Sequence, residues 1–166
     1  MDWSARDEKG RIVVDGTLGM GPSGVFLGTF TPRLDDKGRL ILPAKFRAKL
    51  AEGLVCTRGL DRCIFVFPID EFRAVHELLK AKPIEDKGSR DYVRGFLAYA
   101  SDEIPDKQGR ISISPALRRY AGIERDVVVV GLGSRVEIWD VSAWDDYLNR
   151  TEDDYAKTAR EVVDRL

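Results

Sequence analysis

The sequence predicts an α+β protein made of two related halves in one chain. The stretch 35–47 contains an acidic residue, Gly, Arg, an alternating apolar run, Pro and a basic helix start, and the stretch 106–118 repeats that order. Downstream, residues 43–72 and 115–144 align without a gap at an offset of 72. Because each copy alternates short strand patterns with short helix patterns, we expect two half-domains that fold together as an intramolecular pseudo-dimer.

The first copy predicts two hairpins, each followed by a helix. The expected elements are a strand over 26–34, a tight turn over 35–38, a return strand over 39–42, a short helix from Pro43 through Leu50, strands over 54–57 and 63–67 around a turn at 58–62, and a helix over 69–82. Gly38 supplies the positive φ that a tight turn needs, and Pro43 suits the first turn of a helix because its missing N–H is not required there. In the second copy Ser114 is a better N-cap than its counterpart in the gapless alignment, Leu42.

These elements divide the chain into five parts. We interpret 1–25 as a flexible Gly-rich leader, 26–72 as the first repeat, 73–99 as a helical insert, 100–144 as the second repeat and 145–166 as a C-terminal helix. The insert places Tyr92, Phe96 and Tyr99 on one helical face, which suits base stacking or, as we favour, burial against a neighbouring element. The C-terminal helix has a narrow apolar seam that needs a partner surface, formed by Tyr155, Ala159, Val162 and Leu166.

Composition argues against an enzyme, a metal site and a membrane protein. The chain has one histidine, His76, and two cysteines, Cys56 and Cys63, which are too few and too widely spaced for a zinc site or a disulfide framework. No catalytic triad or phosphate loop can be assembled, and no apolar run reaches the roughly 18 residues of a membrane-spanning helix. We therefore expect no cofactor, and a reducing, cytosolic compartment.

The net charge of −1 hides an uneven distribution of charge. Residues 26–50 carry a net charge of +4 and residues 105–120 carry +3, whereas residues 140–166 carry −4. The repeated motif is therefore basic, and the C-terminal part of the chain is acidic. A basic element that occurs twice favours a nucleic-acid partner.

The spacing Asp-x-x-x-Arg within each motif has two interpretations. Asp35 and Arg39 flank one turn and can form an ion pair that only closes the turn. Alternatively, the Asp holds the guanidinium in a fixed direction, ready for a phosphate or for the O6/N7 edge of guanine. One copy does not separate these interpretations; two copies surrounded by further basic residues favour the second. We also expect Arg39 and Arg110 to lie on one face of the subunit.

The segment from Phe26 to Arg47, taken with 106–110 and 136–139, resembles the bacterial MraZ family over residues 26–166. The resemblance implies two AbrB/SpoVT-type swapped-hairpin halves with a small β-barrel-like core and flanking helices. It further implies a ring-forming homo-oligomer in the cytoplasm, associated with the nucleoid. The implied function is a transcriptional regulator that binds double-stranded DNA at repeated elements upstream of the division and cell-wall gene cluster.

The predicted DNA-binding residues follow from the motifs and the basic residues around them. They are Asp35, Lys37, Arg39, Lys45, Arg47, Asp106, Lys107, Arg110 and Arg118. Family members begin near the equivalent of Phe26. If translation starts at the codon of Val25, the leader that precedes it is not made in the cell. An alternative function stays open, namely an oligomeric scaffold or an antitoxin-like protein that binds a protein partner with the same fold.

Overall fold

The computed structural model describes residues 21–163, so the predictions for residues 1–20 and for Leu166 lie outside the described residues. Eight strands and six helices are assigned in this part of the chain. In chain order they are β1 (Phe26–Phe30), β2 (Arg39–Ile41), α1 (Ala44–Leu50), β3 (Leu54–Arg58), β4 (Ile64–Pro68), α2 (Ile69–Lys80), α3 (Lys87–Leu97), β5 (Ser101–Glu103), β6 (Arg110–Ser112), α4 (Pro115–Ala121), β7 (Val127–Gly133), β8 (Arg135–Asp140), α5 (Val141–Thr151) and α6 (Tyr155–Val162).

The two repeats exchange strands. Six strands form an antiparallel sheet in the order β1-β7-β8-β4-β3-β5, and β2 and β6 form a separate two-stranded ladder. Thus β1 of the first repeat pairs with β7 of the second, and β5 of the second pairs with β3 of the first. In the described part of the chain β1 and β5 are the two edges of the sheet, so its ladders do not close into the barrel-like core that the family resemblance implied.

The long first strand predicted over 26–34 is interrupted. β1 ends at Phe30, and Pro32, which has no N–H to donate to a ladder, follows two residues later. The chain then contacts two different partners, because Arg33 forms an isolated bridge to Asp126 and Leu34 forms one to Leu40. The predicted hairpin therefore exists only next to its turn, and the longer pairing of each strand is made with the other repeat.

Buried apolar side chains from both repeats form one main core. Phe46 of α1 packs edge-on against Phe26 and Phe30 of β1, with 5.1 Å between ring centroids in each case. Both repeats contribute buried side chains to this core, including Leu40, Leu42, Phe46, Leu50, Ile64, Ile111, Ile113, Leu117, Val127 and Ile138. Because neither repeat encloses the cluster alone, burial of apolar surface stabilises the two repeats as one unit.

The N-termini of the first helices correct the predicted alignment of the repeats. Pro43 is the N-cap of α1, with φ −52° and ψ 137°, and does not lie inside the helix. Ser114 is the N-cap of α4, and its hydroxyl accepts a hydrogen bond from the N–H of Leu117 at 3.2 Å. The counterpart of Ser114 is therefore Pro43 and not Leu42. Ser114 is nevertheless the better N-cap of the two, as predicted, because Pro43 makes no side-chain capping bond.

The second hairpins show why a gapless alignment fails. Leu54 pairs with Pro68 in the first repeat, and Val127 pairs with Asp140 in the second. Pro68 and Asp140 are equivalent because each is the N-cap of the helix that follows. Leu54 therefore corresponds to Val127. The connection after the first helix is two residues longer in the second repeat, and the hairpin is one residue shorter.

Three of the remaining helices, α2, α3 and α5, pack against strands of the sheet. Phe96 of α3 is buried and its ring stacks with that of Phe72 of α2. Tyr92 and Tyr99 are 47% and 38% exposed, so the predicted burial of this aromatic face is complete for Phe96 only. Tyr155 and Val162 of α6 are 77% and 76% exposed. None of the helices within residues 21–163 has the length and apolar character needed to cross a membrane.

Candidate functional site

The first Asp–Arg turn is held by a single carboxylate. Gly38 adopts φ 74°, and Oδ1 of Asp35 accepts hydrogen bonds from the backbone N–H groups of Lys37 and Arg39, both at 2.9 Å. Oδ2 of Asp35 accepts a third hydrogen bond, from Nε of Arg39 at 2.7 Å. The two oxygens thus have different partners: one fixes the turn and the other fixes the guanidinium. This contact uses only Nε of Arg39.

The second turn reproduces this geometry. Oδ1 of Asp106 accepts from the N–H groups of Gln108 and Arg110, both at 2.9 Å, and Oδ2 accepts from Nε of Arg110 at 2.6 Å. Gly109 adopts φ 75°. The two motifs therefore match in side-chain geometry as well as in sequence.

The β2–β6 ladder brings the two turns together. Arg39 lies opposite Ser112, Leu40 opposite Ile111, and Ile41 opposite Arg110. Alternate residues of a strand point to opposite sides, and Leu40 and Ile111 are buried in the core. The other four side chains consequently point outward on one surface, which we call the β2–β6 face and which consists of Arg39, Ile41, Arg110 and Ser112.

Arg47 of α1 reaches the turn of the other repeat. Its Nε donates to the carbonyl of Leu42 at 2.9 Å, and its guanidinium lies against Gly109 so closely that a Cβ there would be 2.7 Å from Nε. The N–H of Leu42 in turn donates to the carbonyl of Gly109 at 2.9 Å. The sequence placed Arg47 near the Asp35 turn, but its direct contact is with the Asp106 turn.

Arg118 of α4 makes the reciprocal contact. Its Nε donates to the carbonyl of Ile113 at 3.2 Å, and a Cβ on Gly38 would be 2.9 Å from its Cζ. The N–H of Ile113 donates to the carbonyl of Gly38 at 2.9 Å. The sequence analysis did not predict that Gly38 and Gly109 permit these close approaches. The available signal was that Gly and the helix Arg recur at the same spacing in both copies.

The predicted lysines are more dispersed than the arginines. Lys37 and Lys107 are exposed on the two turns. Lys45 is exposed on α1 and lines a small cavity with Pro22 and Leu27, beside the segment that precedes β1. The structure therefore groups the two Asp–Arg pairs, Arg47 and Arg118, and places Lys45 next to β1.

The electrostatics of the site favour an anion. The backbone hydrogen bond from Arg39 lowers the pKa of Asp35, and that from Arg110 lowers the pKa of Asp106. Both carboxylates are therefore ionised at neutral pH and paired with their own arginines. Within residues 21–163, Arg47 and Arg118 donate to carbonyls and form no ion pair, so the cluster keeps a positive charge.

Glu103 is a neighbour of the site that the sequence did not reveal. Its carboxylate accepts the N–H of Ser112, at 2.9 Å to Oε1 and 3.2 Å to Oε2, and burial raises its pKa. The corresponding residue of the first repeat is Pro32. The Pro32 carbonyl accepts from the N–H of Val127, and Glu103 pairs with Leu54, the counterpart of Val127. A proline side chain accepts no hydrogen bond, so this carboxylate belongs to one repeat only.

The fold and the site define a class of protein: a mixed α/β chain with two repeats, whose strands pair between the repeats and bring two Asp–Arg turns to one positively charged face. Within residues 21–163, no three His, Cys, Asp or Glu side chains come together as metal ligands. A family model described as "MraZ protein, putative antitoxin-like" matches residues 25–95 and again residues 96–166. The chain belongs to the MraZ family.

Several curated relatives are similar over nearly their whole length. A protein from Kocuria rhizophila named "Transcriptional regulator MraZ" is 58% identical over 142 residues, which cover 86% of this chain and 99% of the relative. Proteins of the same name from Kineococcus radiotolerans and Paenarthrobacter aurescens are 55% and 58% identical, over 84% and 81% of this chain and 97% and 94% of theirs.

Proposed function

We propose that this protein is a transcriptional regulator that binds double-stranded DNA in a sequence-specific manner through the β2–β6 face and the two turns beside it. One observation carries the proposal: two Asp–Arg turns of the same geometry lie at the ends of one ladder, with both arginines facing outward. The names of the relatives support a regulator and not an enzyme.

A two-stranded antiparallel ladder is an element that duplex DNA can accommodate. The major groove is about 12 Å wide and admits a two-stranded antiparallel ribbon. Each Asp holds its Arg through Nε, so both terminal amino groups of the guanidinium can donate to the O6 and N7 atoms of guanine. Lys37, Lys107 and the two helix arginines would add sequence-independent contacts to phosphates.

We further propose that the subunits are AbrB-like and assemble into a ring. Two features of residues 21–163 support self-association: the sheet edges β1 and β5, which have no further partner strand there, and the exposed apolar side chains of α6. A single face offers few phosphate contacts, but several faces in one assembly would bind repeated DNA elements with increased avidity. The proposed targets are repeats upstream of the division and cell-wall gene cluster, and the proposed location is the nucleoid in the cytoplasm.

The test compares arginine variants on DNA fragments that the full chain selects from genomic DNA. Arg39→Ala and Arg110→Ala should each cost about 1–3 kcal/mol per engaged site and reduce the preference for selected over random duplex. Lys45→Ala is the control: if it touches phosphate only, it should weaken binding to both DNAs alike and reduce the salt dependence by about one ion. A double Arg39→Ala/Arg110→Ala variant that binds selected DNA as tightly as the parent would refute the assignment.

A second candidate function is an antitoxin-like protein that binds a protein partner, and the description of the matching family model favours it. The exposed apolar side chains Leu78, Ile84 and Tyr155 offer contact area for such a partner. The two functions differ in their response to DNA, because a regulator prefers its operator over random duplex at physiological salt and a partner-binding protein does not.

A further inference from the structure

The β2–β6 face is symmetric in its arginines but not in the residues beside them. The pseudo-two-fold relation exchanges Arg39 with Arg110, and it exchanges Ile41 with Ser112. Residues directly opposite each other in an antiparallel ladder lie about 4.5–5.5 Å apart and share one side of it. Arg110 therefore stands beside the methyl groups of Ile41, whereas Arg39 stands beside the hydroxyl of Ser112.

The exposure of Ile41 has no explanation in the packing of the subunit. Its side chain is 51% exposed, while its neighbours along the strand, Leu40 and Leu42, are buried. A β-branched apolar side chain beside Arg110 on this face is exposed to water at some cost in free energy. Contact with a thymine methyl group in the major groove would remove that apolar surface from water.

The other half of the face is polar in more than one respect. The N–H of Ser112 is bound by the carboxylate of Glu103, for which the first repeat has only Pro32. The turn tips differ as well, because Asp36 and Lys37 of the first turn correspond to Lys107 and Gln108 of the second. The two halves therefore present different chemistry to any ligand that covers them both.

We propose that Ile41 and Ser112 determine specificity and give the protein one direction on DNA: Ile41 contacts a thymine methyl group next to the base read by Arg110, and the half that Arg39 and Ser112 contact has no such preference. This inference rests on the proposed function. A symmetric dimer reads both halves of its site alike, whereas a chain with these unequal halves reads them differently.

The experiment uses the full chain and a duplex selected with it from a random library. Each thymine of the two half-sites is replaced in turn by uracil, which lacks only the 5-methyl group. We expect affinity to fall about threefold to fourfold per engaged subunit, the value of one buried methyl group, at thymines of one half-site only. Those thymines should adjoin the base at which Arg110→Ala, and not Arg39→Ala, reduces discrimination. Replacement of thymines outside the site is the control and should have no effect.

Two variants test the residues themselves. Ile41→Ser should abolish the sensitivity to uracil, because both halves then carry serine, and Ser112→Ile should create the same sensitivity in the second half-site. Thermal melting and light scattering check that both variants keep the fold and the assembly of the parent. The uracil series on the parent chain still tests whether only one half-site is sensitive, even if Ile41→Ser or Ser112→Ile fails to fold.

The outcomes separate this inference from the proposed function. If Arg39→Ala/Arg110→Ala binds as the parent does, the proposed function is wrong in its assignment of DNA recognition to the β2–β6 face. If that variant loses binding and uracil has no effect in either half-site of the parent, only the directional reading is wrong. An equal loss in both half-sites also overturns it.

Discussion

Asp35 carries two roles on two oxygen atoms of one carboxylate. Oδ1 accepts two backbone N–H groups of the turn, and Oδ2 accepts Nε of Arg39. The geometry thus contains a contact that closes the turn and a contact that holds the guanidinium, and the use of the second contact in DNA recognition stays a prediction. A substitution that removes one oxygen function at a time can separate them.

Asp35→Asn should keep the turn and release the arginine. The amide oxygen still accepts the two backbone N–H groups, but the amide nitrogen cannot accept from Nε. We expect nearly the same melting temperature as the parent, and a loss of DNA affinity in the same direction as for Arg39→Ala but by a smaller factor. Asp35→Ala should lower both quantities. Equal DNA affinity in the Asn variant and the parent would show that Asp35 does not aim Arg39.

The pH dependence of the turns follows from the lowered pKa values of Asp35 and Asp106. A carboxylate with a depressed folded pKa stabilises the fold fully above the unfolded pKa, about 3.9, and loses that contribution as pH falls through the folded pKa. The NMR chemical shifts of the carboxyl carbons of both residues should therefore titrate with a midpoint below the ordinary pKa of Asp. The stability difference between the parent and an Asp35→Asn/Asp106→Asn variant should change only in that acid range. A midpoint at or above the ordinary value contradicts the prediction.

At the scale of elements, the arginine that rests on each turn is supplied by a helix of the other repeat. Gly38→Ala combines a strained positive φ with a Cβ that would displace Arg118. Gly122→Ala is a matched control, because φ there is 65° and no atom of the described residues lies within 4 Å of the added Cβ. Both should lose about 1–2 kcal/mol of stability from the backbone strain, Gly38→Ala somewhat more, and only Gly38→Ala should also lose DNA affinity. Chemical denaturation and binding titrations measure the two effects, and equal affinities would exclude a role for the Arg118 contact.

The turns and most helices could be predicted from sequence because their signals are local. Gly38 supplies the positive φ, and Asp35 binds the N–H groups two and four residues ahead. The partner of β1 could not be predicted in this way. Its pairing with β7 depends on tertiary packing, and no short-range pattern encodes it. The positions of Ile41 and Ser112 could not be predicted either, because only the pairing of β2 with β6 places them beside the arginines.

The repeat alignment failed where the two copies differ in loop length. Each copy keeps its Asp, Gly and Arg in place, but the connection between α4 and β7 is longer than that between α1 and β3. Loops tolerate such insertions because they lie outside the packed core. An alignment without gaps therefore located the motif and mispaired Ser114 with Leu42.

At the scale of the whole molecule, α6 offers a test of self-association. Tyr155 and Val162 are mostly exposed in the single subunit. A Tyr155→Ser/Val162→Ser variant should therefore leave the stability of the individual subunit unchanged. If this helix packs against a neighbouring subunit, light scattering should show a shift from an assembly towards the 18.7 kDa of one chain. Lys157→Ser, on the polar side of α6, is the matched control and should leave the mass unchanged. An unchanged assembly in the double variant would exclude α6 from the interface.

The exchange of strands between repeats also has a consequence during synthesis of the chain on the ribosome. β1 pairs with β7, from Phe30 opposite Val129 to Phe26 opposite Gly133, so ~100 residues must be added before its partner exists. At about 5–20 residues per second, β1 waits on the order of 5–20 s after its own synthesis. Throughout that interval Phe26, later part of the core, has no strand to pair with. During that interval, β1 of a nascent chain can pair with β7 of a neighbouring chain. Rapid synthesis of β7 protects each chain from that exchange.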